Sequence, residues 1–137
     1  MSANDFVTSM AILVITVIVF AFLLFAPHAH GATVTEYKAN VSAYCPCNIC
    51  CEKYGWGYRT ASNYKIKPGD HFVAAPKNIP FGTTMIIPGY NKGKPVKVLD
   101  RGGAIKGNKI DLYFDTHKEA LQWGRRHITI RVSGGKP

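Results

Sequence analysis

Hydrophobic and polar positions divide this chain into two unlike parts. From Phe6 to Pro27 there is no charged side chain, and Val7–Phe25 reads VTSMAILVITVIVFAFLLF. A helix packed on a soluble core would keep a polar face, but only Thr8, Ser9 and Thr16 break this run. About 20 apolar residues suffice to cross a bilayer as a helix. Beyond it the period drops to two. Val34–Tyr44 places Ala39, Val41 and Ala43 on one face. Similar short runs follow at His71–Ala75, Thr84–Ile87 and Pro95–Leu99. Lys109–Phe114 places Ile110, Leu112 and Phe114 together, and His127–Val132 does the same with Ile128, Ile130 and Val132. Such alternation predicts half-buried strands. Pro80-Phe81-Gly82 and Pro88–Gly93 supply turn residues between them.

One helix is marked at both ends. Thr116-His117-Lys118-Glu119 has the form of a capping box, and Gly124 is a natural stop after Ala120, Leu121 and Trp123. Trp123 at helical spacing reads as core, whereas Trp56 and Tyr58, in a glycine-flanked loop, are candidates for a ligand-stacking platform. Six strands and one short helix predict a mainly β domain, closed into a small barrel because closure removes unpaired edges. The expected organisation is a hydrophobic helix within 1–31 and a β-domain over 32–137.

Charge sharpens the division. All 17 lysines and arginines follow the apolar stretch, and of the 8 acids only Asp5 precedes it. The β-domain is therefore strongly cationic, which suits an anionic partner (cell-wall polymer, lipid surface or nucleic acid) or simply solubility. The basic residues are scattered, without interleaved aromatics, so nucleic acid is not expected as a partner. Arg125 and Arg126 read as a solvated pair at the helix end. Ala29-His30-Gly31 offers a signal-peptidase site, so the N-terminal segment is either a cleaved signal peptide or a retained membrane anchor. The positive-inside rule taken alone argues against export, since Lys38 follows the segment and no Lys or Arg precedes it.

Cysteine use is concentrated. All 4 cysteines, Cys45, Cys47, Cys50 and Cys51, lie in CPCNICC, a cysteine-rich loop over 45–51. Cys47 and Cys50 form a CxxC, the spacing of half a zinc or iron site. Two disulfides suit an exported domain, and three pairings are then open. A catalytic thiol is the third reading, and nothing marks His71, His117 or His127 as its base. In either of the first two cases the cluster staples the loop after the first strand. The metal is unassigned, and no cofactor is expected beyond zinc at this cluster.

DRGGAIKGNKID, Asp100 to Asp111, sets two carboxylates at the ends of a flexible basic turn. Asp100 ends one strand, and Asp111 faces away from Ile110 and Leu112. Two acids drawn together in a desolvated groove separate their pKa values, which lets one hold a proton near neutrality. Gly102 and Gly103 give the turn its freedom and allow close approach of a ligand. Alternatively, both acids simply accept backbone N–H bonds.

The same residues, with Leu-Tyr-Phe after them, closely resemble the core of the 3D domain family, named for three aspartates. That family includes the C-terminal part of membrane-bound lytic transglycosylase A and small stationary-phase muralytic proteins. Val41–Tyr44 resembles its opening strand, Thr60-Ala61-Ser62 its TAS segment, and Ile79–Thr83 its IPLGT turn. Ala120–Gly124 and Ile128–Val132 resemble its closing helix and strand, so the likeness covers roughly residues 38–133. It implies a six-stranded double-psi β-barrel that cleaves peptidoglycan lytically between N-acetylmuramic acid and N-acetylglucosamine, giving 1,6-anhydro products. It further implies Asp111 as acid/base, with Asp100 tuning it or holding the sugar. Tyr44, Thr60, Gly102, Gly103 and Lys106 become candidate substrate-binding residues. The partners are then peptidoglycan strands, plus the membrane if the anchor is retained. Location is exported: the cell envelope, periplasmic or membrane-anchored. One departure stands out: the first family aspartate falls at Ala75. A non-catalytic glycan-binding module is therefore the alternative.

Overall fold

A computed structural model describes residues 33–51 and 59–134. The apolar segment Val7–Phe25, the signal or anchor reading of 1–31, and the platform candidates Trp56 and Tyr58 lie outside the described residues. Among the described residues, no helix is long and apolar enough to cross a membrane.

The alternating runs form six strands: β1 (Val34–Tyr44), β2 (Phe72–Ala74), β3 (Thr84–Ile86), β4 (Val96–Asp100), β5 (Lys109–Tyr113) and β6 (Arg126–Ser133). Two short α-helices accompany them, α1 (Asn48–Cys51) and α2 (His117–Trp123), with a 3₁₀ turn at Asn91–Gly93. The strands pair in a ring, β1-β5-β2-β4-β3-β6, with β6 returning to β1. β1–β5 and β2–β4 are parallel, and the remaining four pairs are antiparallel. Strands that are neighbours in the ring are therefore seldom neighbours in the chain.

Period-two alternation fills the ring's interior. Val41, Val73, Val98, Ile110, Leu112 and Ile130 are all fully buried in one cluster. Their branched side chains fit a pleated surface, and each removes about 1.5–3 kcal/mol of apolar surface from water. A smaller cluster of Ile66, Phe72 and Tyr113 lies apart from it, where the Phe72 and Tyr113 rings stack at 4.5 Å. Tyr44 and Leu99 pack against this second cluster.

α2 begins and ends where its sequence says it should. Thr116 Oγ1 accepts from the Glu119 amide at 3.2 Å, and the Glu119 carboxylate accepts from the Thr116 amide at 3.1 Å. Gly124, at φ 66°, ends the helix and donates to the Ala120 carbonyl. Trp123 is buried against Tyr90 and Phe114, as core. Thr116→Ala should lower stability by about 1 kcal/mol, and Thr116→Ser should restore most of it. Urea unfolding midpoints test this; equal midpoints for wild type and Thr116→Ala would mean that packing alone holds the helix.

Candidate functional site

Strand register decides where the two aspartates sit. Ser42 of β1 pairs with Asp111 of β5, Asp111 pairs with Ala74 of β2, and Ala74 pairs with Asp100 of β4. Cross-strand partners share a face. Ser42, Asp111 and Ala74 thus form one row across three adjacent strands, on the face opposite Ile110 and Leu112, and Asp100 meets Ala74 across a break in the β2–β4 register. The two aspartates are two strands apart, about 10 Å between backbones. No hydrogen bond joins the two carboxyl groups among the described residues.

Asp100 is held from three sides. It is 4 % exposed. One oxygen accepts from the Ala61 amide at 2.8 Å and the Arg101 amide at 2.9 Å, and the other accepts from the Tyr44 hydroxyl at 2.7 Å. A carboxylate so supplied with donors ties Thr60-Ala61-Ser62 and Tyr44 to the end of β4. Asp100 is thus held firmly in place near the candidate acid, Asp111, whose pKa burial raises most and the Asp100 charge raises further.

Asp111 has a different environment. It lines an open groove of about 470 Å³ together with Asn40, Ser42, Tyr44, Lys109, Arg125 and His127. The Ser42 hydroxyl donates to Oδ1 at 2.9 Å. Burial raises the Asp111 pKa above the ordinary carboxylate range; the Ser42 bond and the Arg125 charge pull it back, and the distant Asp100 charge adds a smaller upward push. Desolvation, not a close second carboxylate, is what keeps this acid protonated further towards neutrality.

The other candidates separate in the same way. Tyr44 lines the groove. Thr60 is buried, its hydroxyl occupied by the Ser62 hydroxyl and the Tyr64 amide. Lys106 is exposed in the turn and is not among the groove-lining residues, nor are Gly102 and Gly103, whereas Ala104 and Ile105 are. The positive φ of that turn belongs to Gly107, at 63°, rather than to Gly102 or Gly103. Gly102 is required for another reason: a Cβ there would meet Ile105 Cγ1 at 2.8 Å.

Arg125 and Arg126 are both exposed, as a solvated pair would be, but each also has a neighbour. Arg125 lines the groove and bears on Asp111, while the Arg126 guanidinium lies 4.0 Å over the Trp123 ring. Asn40 and His127 carry no local motif, and Ser42 lies in the strand Val41–Tyr44 with nothing to mark its side chain, so only β1–β5–β6 pairing reveals their place at the groove. Ala75 is fully buried in the main core, and its carbonyl accepts from Arg101 at 2.9 Å. Ala74, not Ala75, is the residue in register with both aspartates.

The cysteines gather around a residue from far along the chain. Sγ of Cys45 is 3.0 Å from that of Cys47 and 3.4 Å from that of Cys50. His117 Nδ1 is 3.8, 3.5 and 3.3 Å from the sulfurs of Cys45, Cys47 and Cys50. All four are free thiols, and Cys51 turns away to donate to the Cys45 carbonyl.

With this geometry in place, comparison with known proteins bears on the second part of the β-domain. Residues 72–133 match the 3D domain family. That stretch runs from β2 through β6 and contains Asp100 and Asp111. The chain is also similar to proteins of Bacillus subtilis (strain 168). The chain is 36 % identical over 74 residues to YabE, a protein named for cell wall shaping, which is 53 % of this chain and 17 % of YabE. It is 37 % identical over 74 residues to the cell wall-binding protein YocH, or 25 % of that protein. It is 28 % identical over 106 residues to the SPbeta prophage-derived uncharacterized protein YorM, covering 77 % of this chain and 42 % of YorM. In each case the match spans well under two thirds of the relative's own length.

Proposed function

We propose that this 3D domain is an exported lytic transglycosylase of peptidoglycan acting at the cell envelope. The observation that carries the reading is Asp111: a carboxyl in a groove, with a pKa raised by burial, and one oxygen held by Ser42. The Ser42 hydroxyl fixes Oδ1 and leaves Oδ2 to carry the proton. In the first step that proton passes to the glycosidic oxygen as the bond to C1 of the muramoyl residue breaks. In the second, the Asp111 carboxylate takes the proton of the muramoyl 6-hydroxyl as its oxygen closes on C1. The substrate supplies its own nucleophile at high effective concentration, so water is not needed.

The position of Asp100 supports this chemistry over a double displacement. Retaining glycosidases need a second carboxylate about 5–5.5 Å from the acid. Asp100 lies two strands away and is committed to three donors. Lys109 and Arg125 at the groove suit the carboxylates of muramyl peptides, and the names of YabE and YocH agree with a wall polymer as partner. The same reading takes the ring for a double-psi barrel and the N-terminal segment for an export signal or anchor.

Intact sacculi incubated with the protein should release 1,6-anhydro muropeptides, identified by mass spectrometry. Products with reducing ends would instead mean hydrolysis. Release should fall as pH rises through the raised pKa of Asp111, because the acid must be protonated at the first step. A rate that does not vary from acidic to neutral pH would remove Asp111 from that step.

A second reading is a glycan-binding module without catalysis, favoured by the lost acid at Ala75 and by the name of YocH. Its prediction is sacculus pull-down without released products, unchanged in Asp111→Asn. Ala75 packs in the core rather than lining the groove, which favours the catalytic reading.

A further inference from the structure

We propose that Cys45, Cys47, Cys50 and His117 bind one structural zinc ion, which ties the loop after β1 to the start of α2. These four side chains present their ligating atoms within 4.8 Å of one another. Five of the six separations fall between 3.0 and 3.8 Å. A tetrahedral zinc with three sulfurs and one nitrogen at their usual bond lengths sets its ligand atoms about 3.6–3.8 Å apart. A disulfide would need about 2.05 Å between sulfurs, well inside the shortest spacing here. Three thiolates and one imidazole are also a soft donor set that suits zinc.

The surroundings require such a tie. α1 buries none of its residues, and Ile49 is 78 % exposed, so apolar packing does not hold it. Its two ligands come from a turn closed by Cys50 and Cys51 amides on the Cys47 carbonyl. The other two ligands sit on fixed elements. Cys45 is fully buried just after β1, and His117 is the first residue of α2, directly after the Thr116 cap. Four protein ligands complete a tetrahedron and leave no position for a reacting water, so the ion is structural. Cys51 is excluded, because its thiol donates to the Cys45 carbonyl at 3.2 Å. Cys50 also lines the Asp111 groove, so the ion would fix one wall of it. The zinc site is independent of the role of Asp111.

The full chain, produced with zinc in the medium and purified in detergent without reductant, should carry one zinc per chain by mass spectrometry of the metal. Thiol titration after unfolding in chelator should find all four thiols. Cobalt substitution should give thiolate charge-transfer bands and the visible bands of a tetrahedral site. Cys47→Ser and His117→Ala should lose the metal, and Cys51→Ser should keep it. Chelator should lower the Tm of wild type and of Cys51→Ser by about 10 °C, and leave His117→Ala unchanged. Folded protein free of zinc, a deficit of two or four thiols, an octahedral cobalt spectrum, or full zinc retention by His117→Ala would each overturn the assignment. Because the cobalt and thiol readings use wild type, they decide the matter even if a variant fails to fold.

Discussion

Asp111→Asn should abolish release of anhydro muropeptides, by about 10²–10⁴-fold, while leaving the domain folded. The amide is nearly isosteric and its oxygen can still accept from Ser42, so the row across β1 and β5 is kept. What is lost is a proton that can leave. Stability gives a second readout. The folded pKa of Asp111 is raised, so the folded state holds its proton more tightly than the unfolded chain. Wild-type stability therefore declines as pH rises from the ordinary carboxylate value through the folded one. Asp111→Asn lacks that decline and should be at least as stable as wild type near neutral pH. Urea midpoints across pH, measured beside muropeptide release, check both halves. Wild-type activity in the variant would assign the acid elsewhere. Parallel pH profiles of stability would show that burial does not hold the proton.

Asp100→Ala should act through the fold. Its removal leaves the Tyr44 hydroxyl and the Ala61 and Arg101 amides without their acceptor in a buried place. Each stranded donor costs about 1–3 kcal/mol, so a loss of about 3–5 kcal/mol is expected. That is a large share of the roughly 5–15 kcal/mol that stabilises a domain of this kind. Asp100→Asn keeps an oxygen for the two amides and disturbs only the Tyr44 bond, so about 1–2 kcal/mol is expected. Activity should fall with both, because Tyr44 lines the groove. Equilibrium unfolding in urea separates the roles. Full stability of Asp100→Ala together with lost activity would return Asp100 to the chemistry.

The two aspartates lie in one motif and have different surroundings for a reason the motif does not contain. Asp100 accepts from the Ala61 amide of the loop 60–64, from the Tyr44 hydroxyl of β1 and from the Arg101 amide. Asp111 faces a groove whose nearest hydroxyl is Ser42, from a strand 69 residues earlier in the chain. Two carboxylates at the ends of one turn suggest mutual repulsion. The sheet instead inserts β2 between their strands, and the upward shift of Asp111 comes first from burial.

The sequence by itself determined the elements. Period two set six strands and their buried faces, down to Asp111 opposite Ile110 and Leu112, and Thr116–Glu119 with Gly124 set the helix. These are local properties: side chains alternate with the pleat, and a cap needs only its own turn. Tertiary structure alone decided which strands meet. The order β1-β5-β2-β4-β3-β6 put Ser42 beside Asp111, separated Asp111 from Asp100, and brought Arg125 to the groove. Chain direction alone gives no hint that His117 would stand among cysteines some 70 residues before it. Periodicity tells a residue which way to face, but its neighbour across the sheet is chosen by closing the ring and burying both faces at once.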